Sequence, residues 1–408
     1  MGDQDSTSDE RIVIICAGEC GTRAAMALRE SGSRAQVTLI GREDVHAYER
    51  PPLSKASLVD DDPDLVHPWT PEQLAEAGIS LRLGVEATAI DPLTRTVMTT
   101  DGPVGYDRLL LAMGADARHL DLGPVHYVRT HQDAAALRAA VRRGGRMLVI
   151  GAGFICLEIA AAARERGMEV TVVEVADRAL SRIVPEVVAQ RVVDLHAQHG
   201  VTIRTGTTVA AITQAEDAAR VVLSDGDELV VDVVVAGVGA NPATELAAAA
   251  GLLVEDGVLV DEQLRTSDPH IWAAGDCAAF PDPRSGRRVR VESWRNAHDQ
   301  AVTVVASMLG GGQPHTAVAW FWSDQYDQML QSVGLPGAGA SEVVRTREDG
   351  SLIHFELDAS GRLVAATSLG RGPVVAKDIR AAEQLIAAGA DPEPAALADP
   401  GVPLRSLR

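Results

Sequence analysis

Residues 145–174 read GRMLVIGAGFICLEIAAAARERGMEVTVVE, and four successive pieces of that stretch decide the fold. GRMLVI (145–150) is an apolar β-type run, GAGFIC (151–156) a glycine turn, LEIAAAARERG a helical stretch, and MEVTVVE a second strand ending at Glu174. This is the βαβ order of a dinucleotide-binding unit, in which a pyrophosphate rests on backbone N–H groups at the helix N-terminus. Gly151 serves the tight turn and Gly153 lets the backbone approach the pyrophosphate; Cys156, still a small residue, holds the third position, where Gly or Ala is usual. Ile155 and the later Gly237, Val238 and Gly239 are grouped with these nucleotide-binding positions. Eighteen residues past Cys156, the Glu174 carboxylate is placed to accept from a ribose 2′-OH and to repel a 2′-phosphate, which favours NAD over NADP. Arg178 and Arg182 follow closely and are able to take that phosphate, so the preference stays open.

The same pattern stands about 135 residues earlier. RIVII (11–15), CAGECG (16–21), TRAAMALRE and QVTLIG (36–41) repeat the strand–turn–helix–strand order. Here Cys16 occupies the first glycine position, Gly18 and Gly21 keep the second and third, and Arg42 stands where the ribose-binding acid belongs, with Glu43 the nearest substitute. A side chain at the first position is expected to strain the turn or crowd a nucleotide, and Arg42 cannot accept from a ribose hydroxyl. Two such units in tandem give an α/β fold with two Rossmann-like domains.

With 408 residues, against roughly 150 per domain, the chain has room for two or three domains. Apolar residues at 46% and charged residues at 23% are ordinary globular composition. No run approaches a membrane span, and the acidic start MGDQDSTSDE is unlike a signal peptide, so the expected location is the cytoplasm. The net charge of −20 argues against nucleic acid or an anionic membrane as partner. The four cysteines, Cys16, Cys20, Cys156 and Cys277, show no metal-site spacing and are expected to be reduced thiols. No metal site is expected. Only two lysines occur, Lys55 and Lys377. A strand end leading into Gly275-Asp276 places an acid beside a glycine; taken alone, Asp276 is open between a helix N-cap and an acceptor for the sugar-alcohol chain of a flavin.

Taken together, YERPPLSK (48–55), GAGFIC-LE (151–158), VTVVE (170–174), GVGANPATELA (237–247), TSDPHIWAAGDCA (266–278), VRVESWRNAHDQA (289–301) and WFWSDQYDQMLQSVG (320–334) resemble the FAD- and NAD(P)H-dependent pyridine nucleotide oxidoreductases. Within these, the likeness is to the ferredoxin reductases that serve Rieske oxygenases and cytochromes P450. The resemblance covers nearly the whole chain. It implies a split FAD domain (1–118 and 243–319), an inserted NAD domain (119–242) and a C-terminal α+β domain (320–408) whose Pro- and Ala-rich tail from about residue 389 is expected to be peripheral. The implied reaction is hydride transfer from NADH to FAD, then single electrons to a ferredoxin-type iron–sulfur protein. Lys55 and Glu158 are the implied ion pair beside the flavin N5. Arg50 would face the flavin or its pyrophosphate, and Glu292, Ser293 and Trp294 its pyrimidine end.

Of thirteen aromatic residues, Trp320, Phe321, Trp322 and Tyr326 fall within seven positions, which suggests a planar ligand or a hydrophobic plug; Trp322 is the first choice for a stacking ring, with Trp320 beside it. No CxxxxC follows the first unit, so no disulfide relay is expected. Departures from the family pattern, Cys16, Arg42 and AMGADAR (112–118) with Met113 in place of Thr, all fall in the FAD half. Arg284, Arg287, Arg288 and Arg290 are the candidate docking cluster for an acidic ferredoxin. Two other readings stay open: a small organic molecule as the electron partner, and a nucleotide-binding redox-sensing or interaction protein.

Overall fold

Arg11–Ile15 and Arg146–Ile150 each begin with an exposed arginine and continue with four buried apolar residues, the pattern of a parallel strand covered on both faces. Each becomes an inner strand of its own sheet. The computed structural model describes residues 10–214 and 218–407; the acidic N-terminal stretch, up to residue 9, lies outside the described residues. In the first sheet the order is Ile271–Ala273, Arg108–Leu111, Arg11–Ile15, Gln36–Ile40, Ile79–Arg82, parallel throughout. In the second it is Val201–Arg204, Glu169–Val173, Arg146–Ile150, Val233–Ala236, again all parallel. In both, the strand after the glycine helix pairs on one side of the inner strand and a later return strand on the other. That reversal of strand order opens a crevice at the C-terminal edge, directly over the glycine turn.

The described chain forms two compact units. One holds the residues through Glu49, Leu65–Asp116 and Asn241–Ala317; the other holds Arg50–Asp64, Ala117–Ala240 and the residues from Val318 onward. In the second unit Leu58 is fully buried in the same cluster as Leu137, Val149 and Leu157, and Arg138 donates to the Ser57 carbonyl at 3.3 Å. The C-terminal part is an antiparallel five-stranded sheet, ordered Trp320–Gln325, Gln328–Gly334, Leu363–Gly370, Leu352–Leu357, Ser341–Thr346. Ile379, Ala382, Leu385 and Ile386 of the helix Pro373–Ala388 bury against Val333, Phe355 and Ala366 of that sheet.

The tail is not peripheral. Leu397 and Leu404 are buried in the same cluster as Phe355 and Ile379. Arg345, itself fully buried, donates to the carbonyls of Leu397 (2.6 Å), Ala396 (2.9 Å) and Val402 (3.1 Å). The Pro and Ala content of the tail thus marks a strap bound through its backbone carbonyls rather than a loose end.

Both glycine turns close against backbone. A Cβ on Gly151 would meet the Gly237 carbonyl oxygen at 2.5 Å, and one on Gly21 would meet the Cys16 carbonyl oxygen at 2.0 Å. Cys16 takes the left-handed backbone its position demands, with φ of 89° against 102° for the corresponding Gly151. The turn survives the substitution at the cost of strain in an L-residue.

Two measurements check these points. Replacing Cys16 with Gly should raise the unfolding free energy by about 1 kcal/mol, relief of strain being offset in part by the freer unfolded chain. An equal or lower stability would show the turn to be unstrained. Arg345→Met removes the donor from three carbonyls, one buried and two half-buried, and should cost about 3 kcal/mol in chemical denaturation. It should also expose the segment after Gly389 to limited proteolysis; a tail that stays resistant would contradict the clamp.

Candidate functional site

Gly153 and Gly18 are the N-caps of the helices Phe154–Glu165 and Glu19–Glu30, and neither helix has a side-chain cap. Their first amides therefore point outward without an internal acceptor, the arrangement that receives a phosphate. A Cβ at Gly153 would meet nothing within 4 Å, and one at Gly18 only the Cys16 sulfur at 3.7 Å, so each cradle has room for a ligand that a larger residue would fill. On this observation the residues present fit a dinucleotide at both turns.

In the second unit Glu174 is pinned at the strand end: its carboxylate accepts from the backbone N–H of Ala152 at 2.7 Å and of Ala176 at 2.9 Å. Each oxygen keeps a further lone pair for a hydroxyl. Cys156 packs its sulfur against the carbonyls of Ile150 (3.6 Å) and Gly237 (3.5 Å), and burial pushes its thiol up to about 12. Val238 is half-buried, and the Arg182 guanidinium lies 3.6 Å from where a Gly239 Cβ would stand. Arg178 is spent on the carbonyls of Ser181 and Val184, whereas exposed Arg182 has no hydrogen bond or ion pair among the described residues. Ile155, 48% exposed in the first helical turn, presents a bare apolar side chain beside the cradle.

In the first unit Arg42 forms an ion pair with Asp116, and Glu43 accepts from the Tyr48 hydroxyl at 2.7 Å. Met113 is half-buried against the first core. Asp276 sits in a turn leading to the strand Ala278–Pro281, so the helix N-cap reading is excluded. Ser293 instead caps a helix, Trp294–Met308, accepting from the Asn296 N–H at 3.1 Å. Trp294 stacks on His298 with ring centroids 5.3 Å apart, and Glu292 pairs with Arg290. Three of the four clustered arginines have hydrogen-bond or ion-pair partners within the chain. Arg284 donates to the Thr316 and Ala317 carbonyls, Arg288 to those of Val260 and Ala279, and Arg290 pairs with Asp256 and Glu292. Of the four, Arg287 alone has no such tie among the described residues; Arg287 and Arg288, the latter bonded only to neutral carbonyls, are exposed and keep their positive charge.

Back in the second unit, Glu158 is buried in the glycine-loop helix, not solvent-facing as its place on a surface helix would suggest. Its Oε2 accepts from the Ser54 hydroxyl, its Oε1 from the Ser323 hydroxyl, and Lys55 Nζ lies 3.3 Å from Oε1. Burial pushes the carboxyl up, against the opposing pull of Lys55 and the two hydroxyls. The Lys55 ammonium also bonds Asp324 at 2.9 Å and stands 5.4 Å from the Trp322 ring centroid. Trp320 and Trp322 stack on each other, centroids 5.3 Å apart. Phe321 packs instead on Phe154 at 5.0 Å, and Tyr326 stacks on His199 at 3.7 Å. The aromatic crowd therefore divides: all three strand rings are half-buried, but Phe321 and Trp320 pack against two different cores while Trp322 stands beside the lysine. Arg50 donates to the Arg129 carbonyl.

The structure thus brings Lys55, Glu158 and Trp322 together. It adds Ser54, Ser323 and Asp324, which the sequence reading did not single out. For Ser323 and Asp324 the one signal was the polar SDQ (323–325) interrupting an aromatic strand; Ser54 lies within YERPPLSK beside Lys55. Among the described residues no group of three or more His, Cys, Asp or Glu is placed to hold a metal ion, and no helix is long and apolar enough to cross a membrane.

Residues 10–301 match the sequence pattern of the pyridine nucleotide-disulphide oxidoreductases, and residues 320–408 that of the reductase C-terminal domain. The chain is 43% identical to the ferredoxin–NAD(+) reductase component of the anthranilate 1,2-dioxygenase system of Burkholderia cepacia, across 98% of this chain and 100% of that protein. It is similar to the crystal structure of the ferredoxin reductase for the CYP199A2 system from Rhodopseudomonas palustris, with a TM-score of 0.93, 37% identity, and 98% and 99% of the two chains covered. It is also similar to putidaredoxin reductase in its covalent complex with putidaredoxin, with a TM-score of 0.91, 36% identity and 98% of each chain covered. Two parallel sheets with open glycine cradles, the Lys55–Glu158 pair and these likenesses agree: the chain belongs to the pyridine nucleotide-disulphide oxidoreductase family.

Proposed function

We propose that this protein is an NADH-dependent ferredoxin reductase that feeds electrons to a dioxygenase or P450 system through a ferredoxin-type iron–sulfur protein. The family implies FAD and NAD(P) as cofactors. What the two supply when bound is hydride release from a nicotinamide and the flavin's conversion of that electron pair into single electrons. The observation that carries the reading is the pairing of half-buried Lys55 with buried Glu158 on a glycine-capped helix and beside Trp322.

The chain's own residues divide the work as follows. The open amides at Gly153 and Gly18 hold pyrophosphates, of NADH and FAD respectively. Glu174, fixed by two backbone N–H groups, accepts from the adenosine ribose and repels a 2′-phosphate, which favours NADH over NADPH even with Arg182 nearby. Ile155, Gly237, Val238 and Gly239 complete the wall on the nicotinamide side. Residues 1–118 and 243–319 form the flavin domain, 119–242 the NADH domain and 320–408 the C-terminal domain, with 50–64 lending Arg50 and Lys55. Cys16, Gly21, Arg42, Glu43, Asp276, Glu292, Ser293 and Trp294 line the flavin nucleotide. Lys55 would stabilise negative charge on the ring it faces, Glu158 holds that lysine in place as its ion-pair partner, and Trp322 and Trp320 would cover the ring and exclude water. Use of NADH fits work in the cytoplasm.

Thiol chemistry, which the family name also suggests, is disfavoured at the three buried cysteines. Burial pushes the Cys20 thiol up, Cys156 to about 12 and Cys277 to about 11.

The test is NADH-driven reduction of cytochrome c with and without an added ferredoxin. Ferredoxin-dependent turnover is expected; full-rate NADH oxidation with a small organic acceptor, unaffected by ferredoxin, would overturn the reading. Lys55→Met should slow flavin reduction about 10²-fold with little loss of NADH affinity, measured by anaerobic stopped flow. Unchanged kinetics would remove Lys55 from the site. Glu174→Ala should lower the preference for NADH over NADPH about tenfold or more, and an unaltered ratio of kcat/KM values would show that this carboxylate does not meet the ribose.

A further inference from the structure

Behind Glu158 a line of buried polar side chains runs away from Lys55. Ser323 donates to Glu158 Oε1, Gln325 Nε2 lies 2.9 Å from Ser323 Oγ, His196 Nε2 lies 2.8 Å from Gln325 Oε1, and the Tyr326 hydroxyl lies 3.4 Å from His196 Nδ1. Ser323, Gln325 and His196 have no solvent exposure. Nothing in the lining of a nucleotide cradle requires an imidazole or an amide here. We propose that Gln325 and His196 are positioning residues for Glu158, forming with Ser323 a one-way chain of hydrogen-bond donors that ends on its carboxylate and aims it at Lys55.

The direction follows from donor counting. A serine has one O–H; spent on Glu158, it leaves only lone pairs for Gln325, whose NH2 must therefore face it. The Gln325 carbonyl then faces His196, which must present Nε2–H, leaving Nδ1 as the acceptor for Tyr326. The opposite amide orientation would require the Ser323 proton to serve two acceptors. Burial pushes His196 down to about 4 and Tyr326 up to about 12, so across ordinary pH the imidazole is neutral and the phenol keeps its proton. The charged and titratable groups facing the chain are Lys55 and Asp324 at its carboxylate end, and His199 and Arg164 at its far end. Burial disfavours ionised Glu158, whereas each donor aimed at it favours the ionised form. The chain is a fixed environment that favours the ionised form of the partner of Lys55. It transfers no proton, because an amide in the middle does not relay one.

The role of this anion toward a flavin rests on the proposed function; the chain itself is testable without turnover. The experiment follows the C=O stretch of protonated Glu158 by infrared titration of the full-length holoprotein, assigned against Glu158→Gln. Gln325→Met and His196→Phe should raise the protonation midpoint by about one pH unit, and His196→Gln, which restores an N–H donor at the same place, should return it toward wild type. Circular dichroism checks that each variant is folded, and Ser323→Ala reads the same midpoint should one of them fail to fold. An unmoved midpoint in these variants overturns the proposal, as does failure of His196→Gln to differ from His196→Phe. A moved midpoint with unchanged flavin reduction by NADH upholds the chain and removes instead the catalytic reading of Lys55 and Glu158.

Discussion

A carboxylate with almost no exposure has to be compensated where it stands, and Glu158 is that group. Stripping one partner from a buried ion pair generally costs about 3–5 kcal/mol. Its partners come from widely separated stretches: Ser54 and Lys55 from the loop after the first βαβ unit, Ser323 from the first strand of the C-terminal sheet. Satisfying one anion thus ties two other parts of the second unit to the glycine-capped helix. The same compensation leaves the Lys55 ammonium held between Glu158 and Asp324 with Trp322 beside it. A stability requirement and a chemical capability are met by one arrangement.

The two glycine turns show a different constraint. Where a Cβ would strike a carbonyl, at Gly21 and Gly151, glycine is kept; where a left-handed backbone is needed but space allows, Cys16 takes glycine's place. The departure at Arg42 has a partner as well, since its charge is met by Asp116 in the short strand Ala115–Ala117. The first unit therefore keeps the shape of a nucleotide cradle while changing its chemistry, with an ion pair where an acid acceptor usually stands.

Much of this was legible in the sequence because it is local. Apolar runs of four or five residues, glycines at fixed spacing and an acid at the end of the following strand lie within about thirty residues of one another, and the structure has both parallel sheets where those runs stand. Resemblance pointed to Lys55 and Glu158, but residue type alone reads Glu158 as a solvated helix residue. Its burial depends on Ser54 and Ser323, 104 and 165 positions away. Some ties of the arginine cluster at 284–290 were invisible for the same reason: Arg288 bonds the Val260 carbonyl and Arg290 pairs with Asp256, both about thirty residues upstream. The tail looked loose for the same reason: Arg345, which clasps it, lies about fifty residues upstream.

The central claim is that reducing equivalents pass from a nicotinamide to a flavin held by this one chain. Its most direct test is an anaerobic titration of the purified, FAD-reconstituted protein with NADH, followed by visible absorbance. The expected result is an oxidised-flavin spectrum that bleaches with about one equivalent of NADH, two electrons per flavin, and recovers when an oxidised ferredoxin is added. A protein that takes up no FAD, or whose flavin band is indifferent to saturating NADH, would contradict it.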